Sequence, residues 1–265
     1  GHGERVDDSN FESAVQTLTE RLQDENYNVQ KLNLATEGSK LVKGDIIMVL
    51  GPTGDLTADE REKFITFLEN HGKAVLFMDP GIQTPQPNFD AVLDYYMIRI
   101  KDDIVMEQEG SKFTEKSRFE LVPDLKSHDI TDAIINQNVP VYVDSAASIE
   151  CYQPESPIVT VNPLLVTSNK AVSVPVADFN DDSYKNKLAT YIMEQKLVGL
   201  AFEQLDPQSQ LPDAQTRIVV YSTSEIALGS RQNSLGNMNL ITNSVNWVDN
   251  RLEQLYIRGT LQEAY

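Results

Sequence analysis

Short loops rich in glycine, proline and hydroxyl side chains follow the best-defined predicted strands, and these loops are where the chain could hold a ligand. Their candidate binding residues are Gly51, Pro52, Asp79, Pro80, Ser222 and Ser224. In open α/β sheets, ligands bind beyond the carboxyl ends of the strands, so these loops should lie near one another. The sequence therefore predicts a crevice at that edge of the sheet.

The first of these loops, residues 51–55, also lies where nucleotide-binding loops wrap phosphate, between a strand and a helix. No lysine follows it to meet a phosphate, and the carboxylates of Asp55, Asp59 and Glu60 would repel one. The loop is therefore interpreted as a plain strand-to-helix turn, and no nucleotide cofactor is predicted.

Catalysis by a serine or cysteine would need a base and a strained glycine-flanked turn. Ser222 and Ser224 lack flanking glycines, and Cys151, the single cysteine, falls in a β-rich region. No catalytic residue is predicted. The alternative is a hydrolase or amidotransferase with Ser222 or Ser224 as nucleophile and His2 or His128 as base, which only mutual geometry could support.

Metal binding is not predicted either. The three histidines and one cysteine have no metal-ligand spacing. The acidic pairs at residues 102–103 and 181–182 lack the further oxygen ligands of a calcium loop. A third class, a carbohydrate-binding module, would require exposed aromatic side chains along the crevice, for which Tyr95, Tyr96 and Tyr152 are the candidates.

The amino-acid composition limits the classes of molecule that the protein can bind. The 265 residues include 22 lysines and arginines against 40 aspartates and glutamates, a net charge of −18. Such a charge argues against nucleic acid and anionic lipid as partners, because both are bound by neutralising phosphate. The longest apolar runs, residues 46–50 and 74–78, are far shorter than the about 20 residues of a membrane span. Any signal or anchor must therefore lie outside this sequence.

The elements that position the loops begin with a βαβ unit. The apolar run at residues 46–50 predicts a central parallel strand, covered on both faces by helices. Thr57 and Glu60 form the S/T-x-x-E pattern of a capping box at the start of a helix. A second buried strand follows at residues 73–79, so the two strands should be adjacent and parallel.

The remaining pattern predicts a single α/β domain over residues 1–265 with a mostly parallel sheet flanked by helices. Further helices are expected at residues 11–22, from Asn88 onward, near 130–135, around 188–192 and over 237–255. Further strands are expected at residues 27–34, 197–202 and 217–221. Short strands at residues 97–100, 119–122, 139–143, 148–152 and 158–161 make a β-rich middle over about 97–175.

The order of the motifs resembles a known family. They are Gly1-His-Gly-Glu4, Asn26-Tyr-Asn-Val29, Asp45-Ile-Ile-Met-Val-Leu-Gly-Pro52, Thr57-Ala-Asp-Glu60, Asp79-Pro80, Ser127-His-Asp-Ile-Thr131, Pro163-Leu-Leu-Val-Thr-Ser168, Arg217-Ile-Val-Val-Tyr221 and Gly236-Asn-Met-Asn-Leu. In this order they resemble the extracytoplasmic domain of ABC-type transport-system auxiliary proteins, which include the gliding-motility-associated transporter component. The resemblance covers nearly the whole chain.

The resemblance implies a flavodoxin-like, class I glutaminase-like fold and a non-enzymatic role beside an ABC permease and ATPase. It implies a periplasmic or cell-surface location and anchoring to the inner or plasma membrane by helices outside this chain. The native gene is therefore expected to encode an apolar span of about 20 residues before Gly1 and another after Tyr265. A small molecule, a carbohydrate or a partner protein would occupy the crevice.

Two details of the resemblance bear on the site. If residues 1–4 are the first loop of the family, His2 and Glu4 join the crevice, and the strand that normally precedes this loop is outside the chain. Gly1-His2 could instead be the remnant of an expression tag. The Gly-Asp-Ser that usually follows the last strand of the family is replaced here by residues 222–224.

Overall fold

The computed structural model describes residue 5 and residues 8–81, 85–209 and 214–251. Their helices are α1 (Glu12–Asp24), α2 (Leu34–Glu37), α3 (Ala58–Glu69), α4 (Pro87–Tyr95), α5 (Asp132–Asn136), α6 (Val176–Asn180), α7 (Tyr184–Lys187), α8 (Glu225–Leu228) and α9 (Leu235–Val248). Their strands are β1 (Ile46–Leu50), β2 (Lys73–Phe77), β3 (Ile98–Ile100), β4 (Asp103–Met106), β5 (Phe113–Thr114), β6 (Ser117–Leu121), β7 (Asp124–Leu125), β8 (Val143–Asp144), β9 (Ile149–Cys151), β10 (Val159–Val166), β11 (Val172–Pro175), β12 (Leu197–Leu205) and β13 (Gln215–Tyr221).

The main sheet has the strand order β1-β2-β13-β12-β10-β7, in a mixed α/β architecture. β1, β2 and β13 run parallel, whereas β12, β10 and β7 continue the sheet antiparallel. β9 joins β12 and β3 by further antiparallel pairing. The expectation of a mostly parallel sheet is therefore wrong. Only nine residues separate β12 from β13, fewer than the dozen or so that a parallel crossover needs, so the chain returns antiparallel.

The predicted βαβ unit is confirmed, with β1 and β2 parallel and in register from Ile46–Lys73 to Leu50–Phe77. The capping box is present as well, because Thr57 Oγ1 accepts from the Glu60 amide and Glu60 accepts from the Thr57 amide. The central position of β1 is wrong. Among the described strands β1 pairs only with β2, and β13 takes the place on the other side of β2.

Helix layers on both faces explain why β2 is buried at all five positions. One core cluster joins Val75, Phe77 and Tyr221 to α1, α8 and α9. A second cluster joins Leu76 and Val220 to α3 and α4. Successive strand residues point to opposite faces, so β2 and β13 contribute to both layers.

The strand predicted at residues 27–34 is wrong. Residues 27–33 are not part of a sheet, and Leu34 begins α2. Tyr27 and Val29 contact the α1 and α9 side of the core, and the Tyr27 hydroxyl donates to Asn246 Oδ1 at 2.8 Å. The apolar alternation therefore serves packing against helices and not strand pairing.

The start of α4 also differs from the prediction. Asn88 does not cap the helix, which begins at Pro87. Asp55 from the loop after β1 accepts the amides of Asn88 and Phe89, at 3.0 Å and 3.1 Å. A carboxylate distant in sequence thus satisfies the helix start, where negative charge is favourable.

The β-rich middle is confirmed in type. Strands β3, β6, β9 and β10 match four predicted strands, whereas the strand predicted at residues 139–143 is wrong except at Val143, where β8 begins. β4 and β11, which the pattern did not reveal, form a separate two-stranded sheet, and β5, β6 and β8 form another. The helix near residues 130–135 is confirmed as α5.

Two helices near the end of the chain have different outcomes. The helix expected around residues 188–192 is wrong in position, because α7 and a 3₁₀ turn at Leu188–Thr190 precede an exposed Ile192. α9 confirms the predicted long helix, but it ends at Val248 with Asp249 as its C-cap and Asn250 at a left-handed φ of +60°, so the predicted continuation to residue 255 is wrong. Residues 252–255 lie outside the described residues. None of the described helices combines the length and apolarity needed to cross a membrane.

Candidate functional site

The loops after β1, β2 and β13 meet at the carboxyl ends of these parallel strands. Asp79, in the loop after β2, accepts from the Ser224 amide at 2.6 Å and from the Ser224 hydroxyl at 2.8 Å. Gly51, in the loop after β1, lies against both side chains. The geometry therefore brings the predicted crevice loops together, with the Asp79–Ser224 pair at their centre.

Gly51 permits this close approach. Its φ is +55°, in the left-handed region that favours glycine. A Cβ at this position would lie 2.5 Å from Asp79 Oδ2 and 2.8 Å from Ser224 Oγ. Only hydrogen in place of a side chain leaves room for the carboxylate and hydroxyl, so the loop after β1 packs directly against the Asp79–Ser224 pair.

Arg5 is a crevice residue that sequence reasoning missed. Its Nε lies 3.1 Å from Asp79 Oδ2, and its Nη1 donates to Glu225 Oε1 at 2.7 Å. Glu225 is the first residue of α8, directly after Ser224. The only sequence signal was the position of Arg5 next to the first-loop motif at residues 1–4.

The other predicted site residues have different surroundings. Pro52 is buried and Pro80 is half-buried beside the Asp79–Ser224 pair. Ser222 is fully buried, and its hydroxyl donates to the carbonyls of Ala147 at 2.6 Å and Val198 at 3.2 Å. Ser222 therefore joins neighbouring segments and does not line the crevice surface. His2 and Glu4 lie outside the described residues.

The serines are not arranged as activated nucleophiles. Ser224 is fully buried and its hydroxyl is bonded to a carboxylate, not to an imidazole. His128 packs edge-on against Trp247, with ring centroids 5.0 Å apart, and Trp247 in turn stacks with Arg217 near the amino end of β13. The histidine and the serines are thus at opposite ends of this strand.

Cys151 and the exposed tyrosines lie away from the crevice. Cys151 is exposed on β9, and desolvation raises the pKa of its thiol, which disfavours the reactive thiolate. A shallow groove of about 460 Å³ runs beside it, with Tyr152 on its rim. Tyr95 is exposed but Tyr96 is buried. These aromatic side chains do not form the crevice lining that a carbohydrate-binding module would need.

Metal coordination finds no support in the described ranges, where no three His, Cys, Asp or Glu residues gather closely enough to hold an ion. In the crevice, the carboxylates of Asp79 and Glu225 instead share one guanidinium, that of Arg5. The arrangement therefore holds charged hydrogen-bonding groups at the carboxyl ends of the parallel strands.

Buried His128 predicts a pH dependence of stability. Burial, aided by the nearby Arg217, lowers the pKa of its imidazole, and it outweighs the carboxylates of Asp129, Asp132 and Glu203. In the unfolded chain the pKa of His128 is about 6.5. When the pH is lowered below this value, the unfolded chain binds a proton before the folded chain does. The free energy of unfolding therefore decreases as the pH falls, until the pH passes below the lower pKa of the folded state.

We expect urea denaturation over about pH 5–8 to show this loss in the wild type. In His128→Asn, whose Oδ1 can accept the Ile130 amide that His128 Nδ1 now accepts, the slope should be shallower. Equal slopes in the two proteins would assign the pH dependence to other groups.

Comparison with known proteins gives one family. The model of the family described as "ABC-type uncharacterized transport system" matches residues 1–227. A search of curated proteins found no relative. Among solved structures, the mmIFT52 N-terminal domain superimposes with a TM-score of 0.61 and 15% identity, covering 88% of this chain and 89% of that chain. At this identity the likeness concerns the fold alone.

Proposed function

This chain belongs to the family of ABC-type transport-system auxiliary proteins, and from that membership we propose that it is a non-enzymatic ectodomain of such a complex. It binds a ligand or a partner protein at the crevice between the loops after β1, β2 and β13. The observation that carries this proposal is the Asp79–Ser224–Arg5 arrangement, which fixes polar groups at the place where α/β sheets bind ligands.

The proposed surroundings follow from the resemblance. The domain faces the periplasm or the cell surface, anchored by membrane helices outside this chain, and its partners are the permease and ATPase of an export or gliding-type system. The parallel β1-β2-β13 unit with α3 across it supports a relationship to flavodoxin-like and glutaminase-like folds. The absence of an imidazole beside Ser222 or Ser224 among the described contacts supports a non-enzymatic role.

Co-purification tests the proposal. The full-length protein, tagged and expressed in its native cells, is recovered from solubilised membranes and its partners are identified by mass spectrometry. We expect the permease and ATPase to be recovered with the wild type. Pro80→Arg, which places a bulky cation at the crevice, should reduce their recovery at least about tenfold, as a lost interface contact does.

Two variants serve as controls. Pro154→Arg puts the same side chain on another half-buried proline, in the loop after β9 and away from the crevice. Cys151→Ala removes the only thiol. Both should recover the partners as the wild type does. A wild-type protein that remains in the soluble fraction and recovers neither subunit would refute the proposed role, and equal losses for Pro80→Arg and Pro154→Arg would refute the crevice as the binding surface.

A further inference from the structure

The crevice contains a guanidinium group that comes from the chain itself. Arg5 lies before α1, yet its side chain spans Asp79 and Glu225, which follow β2 and β13. The side chain of Asp79 is 8% exposed, and those of Arg5 and Glu225 are 24% and 27% exposed. The two carboxylates thus form a partly desolvated cation site that solvent can still reach.

The Asp79 half of this site is organised independently of Arg5. Both carboxylate oxygens of Asp79 are already held by Ser224, through its amide and its hydroxyl. Glu225 starts α8, and its backbone amide donates to Thr223 Oγ1 at 3.2 Å, so its place in the chain does not depend on Arg5. Removal of the Arg5 side chain would therefore leave the Asp79 carboxylate oriented by Ser224, the Glu225 carboxylate nearby, and an open position between them.

Arg5 is more exposed than Arg217, an arginine on the central strand β13, and it lies outside the sheet. Arg217 is part of β13, its side chain is 9% exposed, and it donates to Glu203 and to the carbonyl of Trp247. Arg5 precedes the first helix and contacts, besides the two carboxylates, the ring of Phe11 at 4.7 Å. Its site can therefore exchange its occupant without unfolding a strand.

We infer that Arg5 is a displaceable latch. It occupies a guanidinium-binding site formed by its own chain, and an arginine side chain of a partner protein takes its place on binding. The inference rests on the proposed function for the existence of that partner. Carboxylates recognise a guanidinium by paired, charge-assisted hydrogen bonds, so the class of ligand is specified by the present occupant. The net charge of −18 favours a cationic partner surface further.

Chemical rescue tests the site without the partner. In purified Arg5→Ala, methylguanidinium should bind with a Kd in the millimolar range and slow hydrogen exchange at the Ser224 amide. At ten times the Kd the slowing should reach about tenfold, because opening must then compete with the bound ligand. The wild type, whose site is filled, should show no such response, and sodium chloride of equal ionic strength should have no effect on either protein.

Two further variants separate the latch from general effects. Arg99→Ala removes an exposed arginine that pairs with Asp94, and it should show no rescue. Arg5→Ala combined with Glu225→Gln removes one carboxylate of the site and should weaken the binding of methylguanidinium at least about tenfold. A folded Arg5→Ala protein that ignores methylguanidinium, or a wild type that responds equally, would overturn the inference.

The partner's part is tested by co-purification. Arg5→Ala should recover more permease or ATPase than the wild type or Arg99→Ala, because the partner no longer competes with the latch. Recovery unchanged or reduced by Arg5→Ala would overturn displacement by a partner. Recovery of neither subunit by any variant, alongside successful rescue by methylguanidinium, would refute the transport role and with it the partner, while the guanidinium site itself would stand.

Discussion

Asp79→Ala should lower the free energy of unfolding by about 3–5 kcal/mol, because it removes one side of a largely buried ionic cluster. Asp79 accepts two hydrogen bonds from Ser224 and forms an ion pair with Arg5. After its removal the Ser224 amide and hydroxyl are left buried without this acceptor. Urea denaturation measures the loss, and Asp79→Asn, which keeps one acceptor oxygen, provides a milder variant if the alanine protein does not fold.

A second carboxylate–serine pair gives the matched control. Asp103 accepts from the Ser148 amide at 2.7 Å and the Ser148 hydroxyl at 2.6 Å, away from the crevice. Asp103→Ala should therefore lose about 2–3 kcal/mol from these hydrogen bonds while partner recovery is retained. Loss of partners with Asp79→Asn but not with Asp103→Ala would assign the effect to the crevice. The same recovery from both would leave Asp79 with a structural role only.

Local signals predicted much of the fold. The capping box at Thr57 and Glu60 and the apolar runs of β1 and β2 depend on neighbours in sequence, and each formed as expected. Strand order depends on contacts distant in sequence, so no local pattern indicated that β13 would lie beside β2, with β1 outermost on that side among the described strands. Residues 27–33 show the same limit, since the pattern of Tyr27 and Val29 suits packing against a helix as well as a strand.

The site was predictable as a place but not as a set of contacts. The rule that ligands bind beyond strand carboxyl ends located Gly51, Asp79 and Ser224 together. It could not separate Ser224, which bonds to Asp79, from Ser222, which bonds to backbone carbonyls on other elements. The two serines are two positions apart, and only the direction in which each side chain points distinguishes their roles.

Pairs in which one carboxylate accepts both the amide and the hydroxyl of a serine recur in the structure, and the sequence pattern did not predict them. Glu107 holds the Ser168 amide and hydroxyl at 3.0 Å and 2.7 Å, as Asp79 holds Ser224. The members of these pairs are 61 and 145 residues apart. Acidic residues and serines are so frequent in an acidic chain that no spacing identifies such a pair. Arg5 was not predicted as a site residue for the same reason, since its partners Asp79 and Glu225 are distant from it in sequence.

Gly51→Ala should lower the free energy of unfolding by about 2–4 kcal/mol, through two separate effects. A left-handed φ costs an L-residue about 1–2 kcal/mol, and φ is +55° at Gly51. In addition, the new Cβ would lie 2.5 Å from Asp79 Oδ2, so the carboxylate must move and its bonds to Ser224 weaken. Hydrogen exchange at the Ser224 amide should therefore accelerate together with the loss of stability.

Gly81→Ala isolates the first effect. Gly81 has a φ of +71°, but a Cβ there would meet Val176 Cγ1 at no less than 3.4 Å, an ordinary contact. We expect this variant to lose only the about 1–2 kcal/mol of backbone strain and to leave the Ser224 amide protected. The difference between the two losses in free energy of unfolding measures the cost of moving the Asp79 carboxylate away from the loop after β1. Equal losses, with no faster exchange at Ser224 in Gly51→Ala, would show that Asp79 and Ser224 can move apart at little cost, and the crevice would then be adaptable and not preformed.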